Sequence, residues 1–308
     1  MHESRPSLNR SRGASLGQAA RTVMQPGVGI ATAIALCIAA GAQARPALAG
    51  AARAQVEFYC AFVRSPTDCG FHEQAKAPGR ATLVAAGRGG AKGVRLRTWP
   101  GDSHVAGSGE NERNDLSLSQ AATDGYAGRE HWWAHSLLFP DDYVDPPMSA
   151  EKTWNWSVVF NFHNTASGPG QSNFMLFAMP VRAIARDRPT GLFMRGYGGR
   201  NNGDGEFSAA VGPVLRNVWY DFVYHVRWSP GTDGYFDAWV RTGDEPIARR
   251  VLSHRGPTLY TGQGVYLKPA NYHSPFGRPS SVIHSRIVRG RSAAAVSLVP
   301  LEGIPWKP

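Results

Sequence analysis

Apolar residues fall along this chain in short runs rich in aromatic and β-branched side chains. The runs "GVRLRTW", "NDLSLSQ", "EHWWAHSLLF", "WSVVFNFH", "SNFMLFAM", "GLFMRGY", "WYDFVYHVRW", "GYFDAWVR", "QGVYLK" and "SVIHSRIVRG" are separated by clusters of Gly, Pro, Asn and Asp. No long stretch keeps a 3.6-residue period, so the pattern predicts strands joined by turns. "WSPGTDGYFDAW" (228–239) reads as a hairpin turning at "PGTDG". The expected class is all-β: a β-jelly roll, a concanavalin-like sandwich of two curved antiparallel sheets with few helices. Neither an internal repeat nor a proline-rich linker interrupts residues 45–308, which are expected to form a single domain.

Strand phase sharpens the picture, because side chains i and i+2 share a face. In "VVFNFH" (158–163), alternation puts Val158, Phe160 and Phe162 on one side and Val159, Asn161 and His163 on the other. In "ERNDLSLS" (112–119), Leu116 and Leu118 share a face with Asn114, opposite Arg113, Asp115, Ser117 and Ser119. Two separate strands thus bury apolar residues on one side and present hydrogen-bonding groups on the other. That fits a curved sheet with a wet concave face.

The N-terminus follows a different pattern. Arg5, Arg10, Arg12 and Arg21 precede an apolar run, "VGIATAIALCIAAGA" (28–42), and Ala42-Gln43-Ala44 supplies a small-x-small end. This describes a secretory signal peptide over residues 1–44, cleaved near Ala44, with "ALA" (47–49) as a second possible site. The run is too short to span a bilayer, which takes about 18 or more apolar residues. The mature chain is therefore expected to be secreted or periplasmic, monomeric, and free of membrane and nucleic-acid partners. Loss of four arginines and one glutamate (Glu3) with the leader takes the formal net charge from +10 to +7. Lysines are few (positions 76, 92, 152, 268 and 307), so the positive charge is mostly arginine, whose planar fork matches carboxylate, sulfate or phosphate. Cys37 leaves with the leader. Cys60 and Cys69 remain, an even pair expected to form a disulfide in an oxidising compartment.

Three stretches carry candidate chemistry. "RNDLS" (113–117) resembles the R-[TA]-E-L-[RS] strand of jelly-roll polysaccharide lyases, "NFH" (161–163) their Q-[IVW]-H strand, and "YLKPANY" (266–272) their Y-F-K-A-G-x-Y segment. The order is the family's order. "REHWWAHSLLFPDDY" (129–143) and "WYDFVYHVRWSPGTDGYFDAWV" (219–240) extend the likeness over most of the mature chain. The sequence resembles the heparinase-I-like and glucuronan-lyase-like group, related to the jelly-roll alginate lyases. It departs from the pattern at Asn161, where glutamine is commoner, at Asp115 in place of glutamate, and at Pro269, which removes a ladder donor and ends or bulges its strand.

The resemblance implies an anionic polysaccharide substrate and β-elimination on a 4-linked uronic acid. That chemistry removes the C5 proton beside a carboxylate and expels O4, so it needs a group that neutralises the carboxylate, a base and an acid. Asn161 and Arg113 suit the first task. His163, with a reference pKa of ~6.5, suits base or carboxylate partner. Tyr272 can protonate O4, and can also take H5 if a nearby cation lowers its pKa from ~10. Lys268 can supply that cation or grip a neighbouring uronate. Asp115 and Tyr266 are implied substrate contacts, and Arg195 and Arg200, beside the glycine-rich "GYGGRNNGDG" (196–205), are candidates for outlying carboxylates at a mobile rim. No cofactor or metal is implied at the site, and a structural calcium ion is left open.

Ordinary structural roles compete with each assignment. Lys268 and Tyr272 taken alone read as a solvated strand end and a loop aromatic, His163 as a surface histidine, and Arg113 with Asp115 as a structural pair. Trp132, Trp133, Trp154, Trp156, Trp219, Trp228 and Trp239 are mostly packing, with one or two left for sugar rings. A glycoside hydrolase would need paired carboxylates, and "ENERND" (110–115) has the wrong spacing for them. A non-catalytic carbohydrate-binding jelly roll, or a lyase for heparin or alginate, are the other readings.

Overall fold

A computed structural model describes residues 55–85, 87–148, 155–166, 171–180, 190–201 and 204–305, all of them in the unit Gln43–Pro308. The expected leader, 1–44, lies outside the described residues. In chain order the strands are β1 (Val56–Cys60), β2 (His72–Ala75), β3 (Ala81–Val84), β4 (Gly93–Thr98), β5 (Glu112–Ser117), β6 (Glu130–Leu138), β7 (Ser157–Asn164) and β8 (Phe174–Pro180). They continue with β9 (Thr190–Gly196), β10 (Phe207–Pro213), β11 (Trp219–Arg227), β12 (Tyr235–Thr242), β13 (Arg249–Arg255), β14 (Val265–His273) and β15 (Ser280–Gly290). Two single-turn helices, α1 (Gln120–Thr123) and α2 (Ala293–Val296), are each capped by a serine: the Oγ of Ser119 and of Ser292 accepts from the third residue on. No helix among the described residues is long and apolar enough to cross a membrane.

The strands form the expected jelly-roll sandwich. One sheet runs β13-β12-β11-β6-β15-β4-β3, with β1 also on β15, and the other runs β10-β9-β8-β7-β14-β5-β2. The hairpin read at 228–239 joins β11 to β12, with Arg227 opposite Tyr235. The core lies between the sheets. Trp133 from β6, with Phe222 and Tyr224 from β11, meets Phe160 and Phe162 from β7 and Phe174 from β8. Phe162 sits with its ring centre 5.5 Å from Trp133 and 5.1 Å from Trp228. On the outer face of the first sheet, Ala134, Val223, Trp239 and Val288 are covered by Val296 of α2 and by Leu301.

Two points of the sequence reading are corrected. β1, β2, β3, β10 and β13 had no readable signal, because "HEQA", "ATLV" and "FSAAVGP" are short or small and polar, and β13 "RRVLSHR" is a charged edge strand. Alternation on β7 is broken: Val159 packs in the core with Phe160 and Phe162, while Val158 faces the opposite side. The cause is a bulge, since the pairing with β8 slips between Val158 and Phe160. Of the two outcomes expected at Pro269, the structure shows the bulge: β14 continues to His273, and its pairing with β7 shifts between Pro269 and Tyr272. The Cys60–Cys69 disulfide is present, tying the end of β1 to the turn at Asp68–Gly70.

Behind β14 the two sheets are joined by polar side chains. Asn271 Nδ2 donates to the carbonyls of Ser280 at 3.0 Å and Leu96 at 3.2 Å. His273 Nδ1 donates to the Ser274 carbonyl at 2.8 Å, which leaves Nε2 to accept from Thr98 Oγ1 at 2.7 Å. His284 Nε2 donates to the Ala270 carbonyl, and His135 lies flat on Phe160 with its Nε2 against the Tyr224 hydroxyl. Burial pushes the pKa of His273 and of His284 down to about 4, and that of His135 well below the ordinary range.

These histidines fix the sign of an acid effect. Their folded pKa values lie below the unfolded value, so between about pH 6.5 and pH 4 the unfolded chain binds protons that the native state refuses. Stability is expected to be complete above about pH 6.5 and to fall with acidification, by about 2 kcal/mol per histidine at pH 5. Urea unfolding from pH 7.5 to 5 measures it. His273→Asn is expected to flatten the slope, and a slope unchanged in that variant would remove this account.

Candidate active site

The site is assembled by register. β14 lies between β7 and β5, and its even-numbered residues face away from the core. Lys268 stands opposite Asn161, Tyr266 opposite His163, and Tyr272 opposite both Val158 on β7 and Arg113 on β5. Asp115 is opposite Ala270 and next to Gln74 of β2. The shift after Pro269 is what brings Tyr272 level with Val158, while its unshifted pairing with β5 sets it opposite Arg113. Together these side chains line a cleft of about 730 Å³ on the outer face of the second sheet.

At its floor, two cations share one carboxylate. Asp115 Oδ2 lies 2.7 Å from Lys268 Nζ and 3.2 Å from Arg113 Nε. All three are buried, with relative exposures of 0 % for Asp115, 2 % for Lys268 and 6 % for Arg113. Lys268 is therefore no solvated strand end. Its pKa is lowered by burial and by Arg113, against the opposing pull of Asp115. The trio carries one net positive charge in a place with little water, which suits an anionic ligand.

Arg113 is held from two further directions. Nη1 donates to the carbonyls of Ala106 at 2.9 Å and Val105 at 3.3 Å. Those carbonyls come from a loop in which His104 (φ 60°) and Ala106 (φ 46°) are left-handed, a conformation that costs on the order of 1 kcal/mol per non-glycine residue. The guanidinium lies 3.9 Å from the centre of the Tyr272 ring, whose other contact is an edge-on Trp156 at 4.8 Å. The cation beside Tyr272 is thus Arg113, while Lys268 is engaged by Asp115.

His163 Nδ1 lies 2.9 Å from the carbonyl of Asn164, which can only accept, so Nδ1 carries the proton and Nε2 a lone pair. Burial first, then the charges of Lys268 and Arg113, lower its pKa and keep the ring neutral. In this form His163 can accept a proton but cannot donate to a carboxylate from Nε2. Asn161 is 3 % exposed, and its Oδ1 is buried with no hydrogen-bond partner among the described residues. Tyr266 packs against His163 at 5.2 Å.

Arg195 lines the cleft at its β9 end, paired with Glu206 at 3.4 Å. Arg200 does not reach it. It lies exposed in a turn whose backbone N–H donates to Asp204. No described residue of the 196–205 loop lines the cleft, because Gly199 is tied to Leu259 and Thr261 by backbone hydrogen bonds; Asn202 and Gly203 lie outside the described residues. Of the tryptophans, Trp156 is the one at the cleft, and Trp154 lies outside the described residues. Sequence reasoning missed Gln74, Ala106, Val158 and the β8 residues Met175, Phe177 and Met179. The β8 alternation was present in "SNFMLFAM" but reads as apolar on both faces. Among the described residues no group of three His, Cys, Asp or Glu is placed to hold a metal ion.

The trio makes a stability prediction. Asp115→Ala leaves a buried ammonium beside a guanidinium with no counter-charge and is expected to cost about 3–5 kcal/mol. Lys268→Met leaves Asp115 still paired with Arg113 and should cost less. Denaturant unfolding of both variants checks the order, and the reverse order would mean that Asp115 is not the charge on which the others depend.

The family model described as polysaccharide lyase matches residues 68–286, which include every residue of the cleft floor. No curated protein sequence matches the chain. Among solved structures, endo-β-1,4-glucuronan lyase from the fungus Trichoderma reesei superposes with a TM-score of 0.55 at 14% identity, covering 78% of this chain and 98% of that one. An alginate lyase from Klebsiella pneumoniae gives a TM-score of 0.45 at 9% identity over 68% of this chain and 84% of that one. One from Alteromonas sp. 272 gives 0.45 at 10% identity over 72% and 95%. Since the family match spans more than half of the sequence, the chain belongs to the polysaccharide lyase family.

Proposed function

We propose that this lyase cleaves a 4-linked uronic-acid polymer by β-elimination, with unsulfated β-1,4-glucuronan as the favoured substrate, and that it acts after export. The observation that carries the reading is the lone carboxylate of the floor. Among the described lining residues Asp115 is the only one, and Lys268 and Arg113 already engage it. Retaining hydrolysis requires two carboxylates about 5–5.5 Å apart, so that chemistry has no partners here. Elimination requires the opposite charge, and the floor has it.

The Nδ2 hydrogens of Asn161, with Arg113 and Lys268, are the donors to receive the uronate carboxylate and stabilise the charge that builds on it as C5 loses its proton. In a β-D-glucuronate chair, H5 and O4 lie on the same side, so one group can serve both transfers. Tyr272 takes H5 and returns a proton to O4, which leaves as the bond breaks and the C4–C5 double bond forms. His163, neutral with a free lone pair, is the acceptor suited to the opposite stereochemistry, in which H5 faces away from O4. Two further points support the substrate class. The described cations of the cleft are Arg113, Lys268 and Arg195, each paired with an acid, which leaves little for sulfate groups. The Trichoderma reesei glucuronan lyase shares the fold. Export is supported by the leader pattern and by the Cys60–Cys69 disulfide.

Ultraviolet absorbance of the unsaturated uronate, measured against glucuronan, alginate, heparin and hyaluronan, tests the reading. Tyr272→Phe is expected to abolish product on glucuronan, Asn161→Ala to lower turnover about 100- to 1000-fold, and His163→Ala to leave measurable activity. Near-normal turnover in Tyr272→Phe would move the base elsewhere. Activity on none of the four polymers would favour a binding module without catalysis.

A further inference from the structure

The cleft has a second half whose chemistry differs from that of the floor. Reading across the second sheet from Tyr272, the residues directly opposite one another are Tyr272 on β14, Val158 on β7, Phe177 on β8 and Phe193 on β9. Val158 and Phe177 line the cleft, and the Phe193 ring lies beside Phe177 with centres 5.9 Å apart and planes 30° from parallel. Both rings are half-buried, so each keeps a surface that the protein does not cover. An apolar row therefore leads away from the phenol that the proposed chemistry uses. Arg195, two residues from Phe193 on the same face, borders its far end.

Sugar geometry gives the row a meaning. A 4-linked pyranose advances by roughly 5 Å, close to the spacing between strands, so a chain crossing the strands sets about one sugar over each. Successive sugars of an extended β-1,4 chain turn over, and both ring faces are presented along the row. In a gluco-configured uronate every ring substituent is equatorial. Only axial C–H groups point at the platform, and these are attracted to the negative face of a phenyl ring. A manno-configured uronate turns an axial 2-hydroxyl toward the platform at alternate sugars, where Val158 and Phe177 offer it no hydrogen bond and remove its water.

We propose that Phe177, with Val158 and Phe193 beside it, is the specificity determinant that selects gluco-configured over manno-configured uronate chains. This rests on reading the cleft as that of a uronan lyase. Wild type, Phe177→Ala, Phe177→Leu and Phe177→Tyr are compared on glucuronan and polymannuronate oligosaccharides of at least six sugars, by product absorbance. Wild type is expected to prefer glucuronan. Phe177→Ala should lose about 10- to 100-fold in kcat/KM on glucuronan, mostly through KM, and its preference over mannuronan should shrink. Phe177→Tyr should restore both, while Phe177→Leu, apolar but not planar, should not. A folding defect would lower both substrates together and leave their ratio unmoved. An active wild type whose Phe177→Ala variant keeps its KM and its ratio overturns the inference and spares the lyase reading. A wild type that prefers mannuronan does the same. A wild type active on neither polymer overturns both.

Discussion

The architecture of the site depends on one strand being paired on both sides while burying a single face. β14 is held by β7 and β5, and its odd-numbered residues Val265, Leu267 and Asn271 are committed to the interior. A slip of one residue would turn Leu267 into the cleft and Lys268 into the core, which no partner there could neutralise. The apolar pattern therefore fixes where the charged groups go. Asn271 and His273 reinforce this from behind, because their hydrogen bonds to β4 and β15 clamp the positions on either side of Tyr272. The phenol is thus positioned by the sheet that does not carry the site.

Electrostatics then set what this geometry can do. A carboxylate as buried as Asp115 is tolerable only with its charge answered, and here it is answered twice. The surplus positive charge is the useful part. It adds to burial in lowering the pKa of His163, lies over the Tyr272 ring as a guanidinium, and remains available to an incoming anion. Asp115 acts in this scheme as the group that makes two buried cations stable a few ångströms apart.

What could be read in the sequence follows from the same physics. β5 was legible to the residue: Leu116 and Leu118 are core, Arg113 and Asp115 line the cleft, and strict alternation held because the strand is unbroken. β7 was legible only beyond its bulge. Asn161, Phe162 and His163 keep their predicted faces, while Val158 and Val159 exchange theirs, since a bulge is a property of the pairing with β8 that a single strand does not record. The left-handed backbone of the 104–107 loop was not read, although Gly107 (φ 79°) and His104 are residue types that favour it; Ala106 (φ 46°) is not. Arg200 was placed at the rim on sequence proximity to Arg195, and backbone hydrogen bonds to the 257–261 segment carry it elsewhere.

The two halves of the cleft come from strands with different constraints. β5, β14 and β7 bring charged and hydrogen-bonding groups together, and the charged ones need a partner nearby to be tolerated where they are. β8 contributes Met175, Phe177 and Met179, with Phe193 of β9 beside Phe177, and these need none, while Arg195 of β9 is paired with Glu206. A change on β8 alters what rests on the surface without leaving a buried charge unanswered, whereas a change at Asp115 or Lys268 disturbs the whole trio. The chemistry is therefore locked to the centre of the sheet by electrostatic interdependence, and the surface beyond it is free to vary in shape and polarity. If Phe177 selects the polymer as proposed, that separation lets one jelly roll keep a single elimination reaction while the choice of polymer is made two strands away.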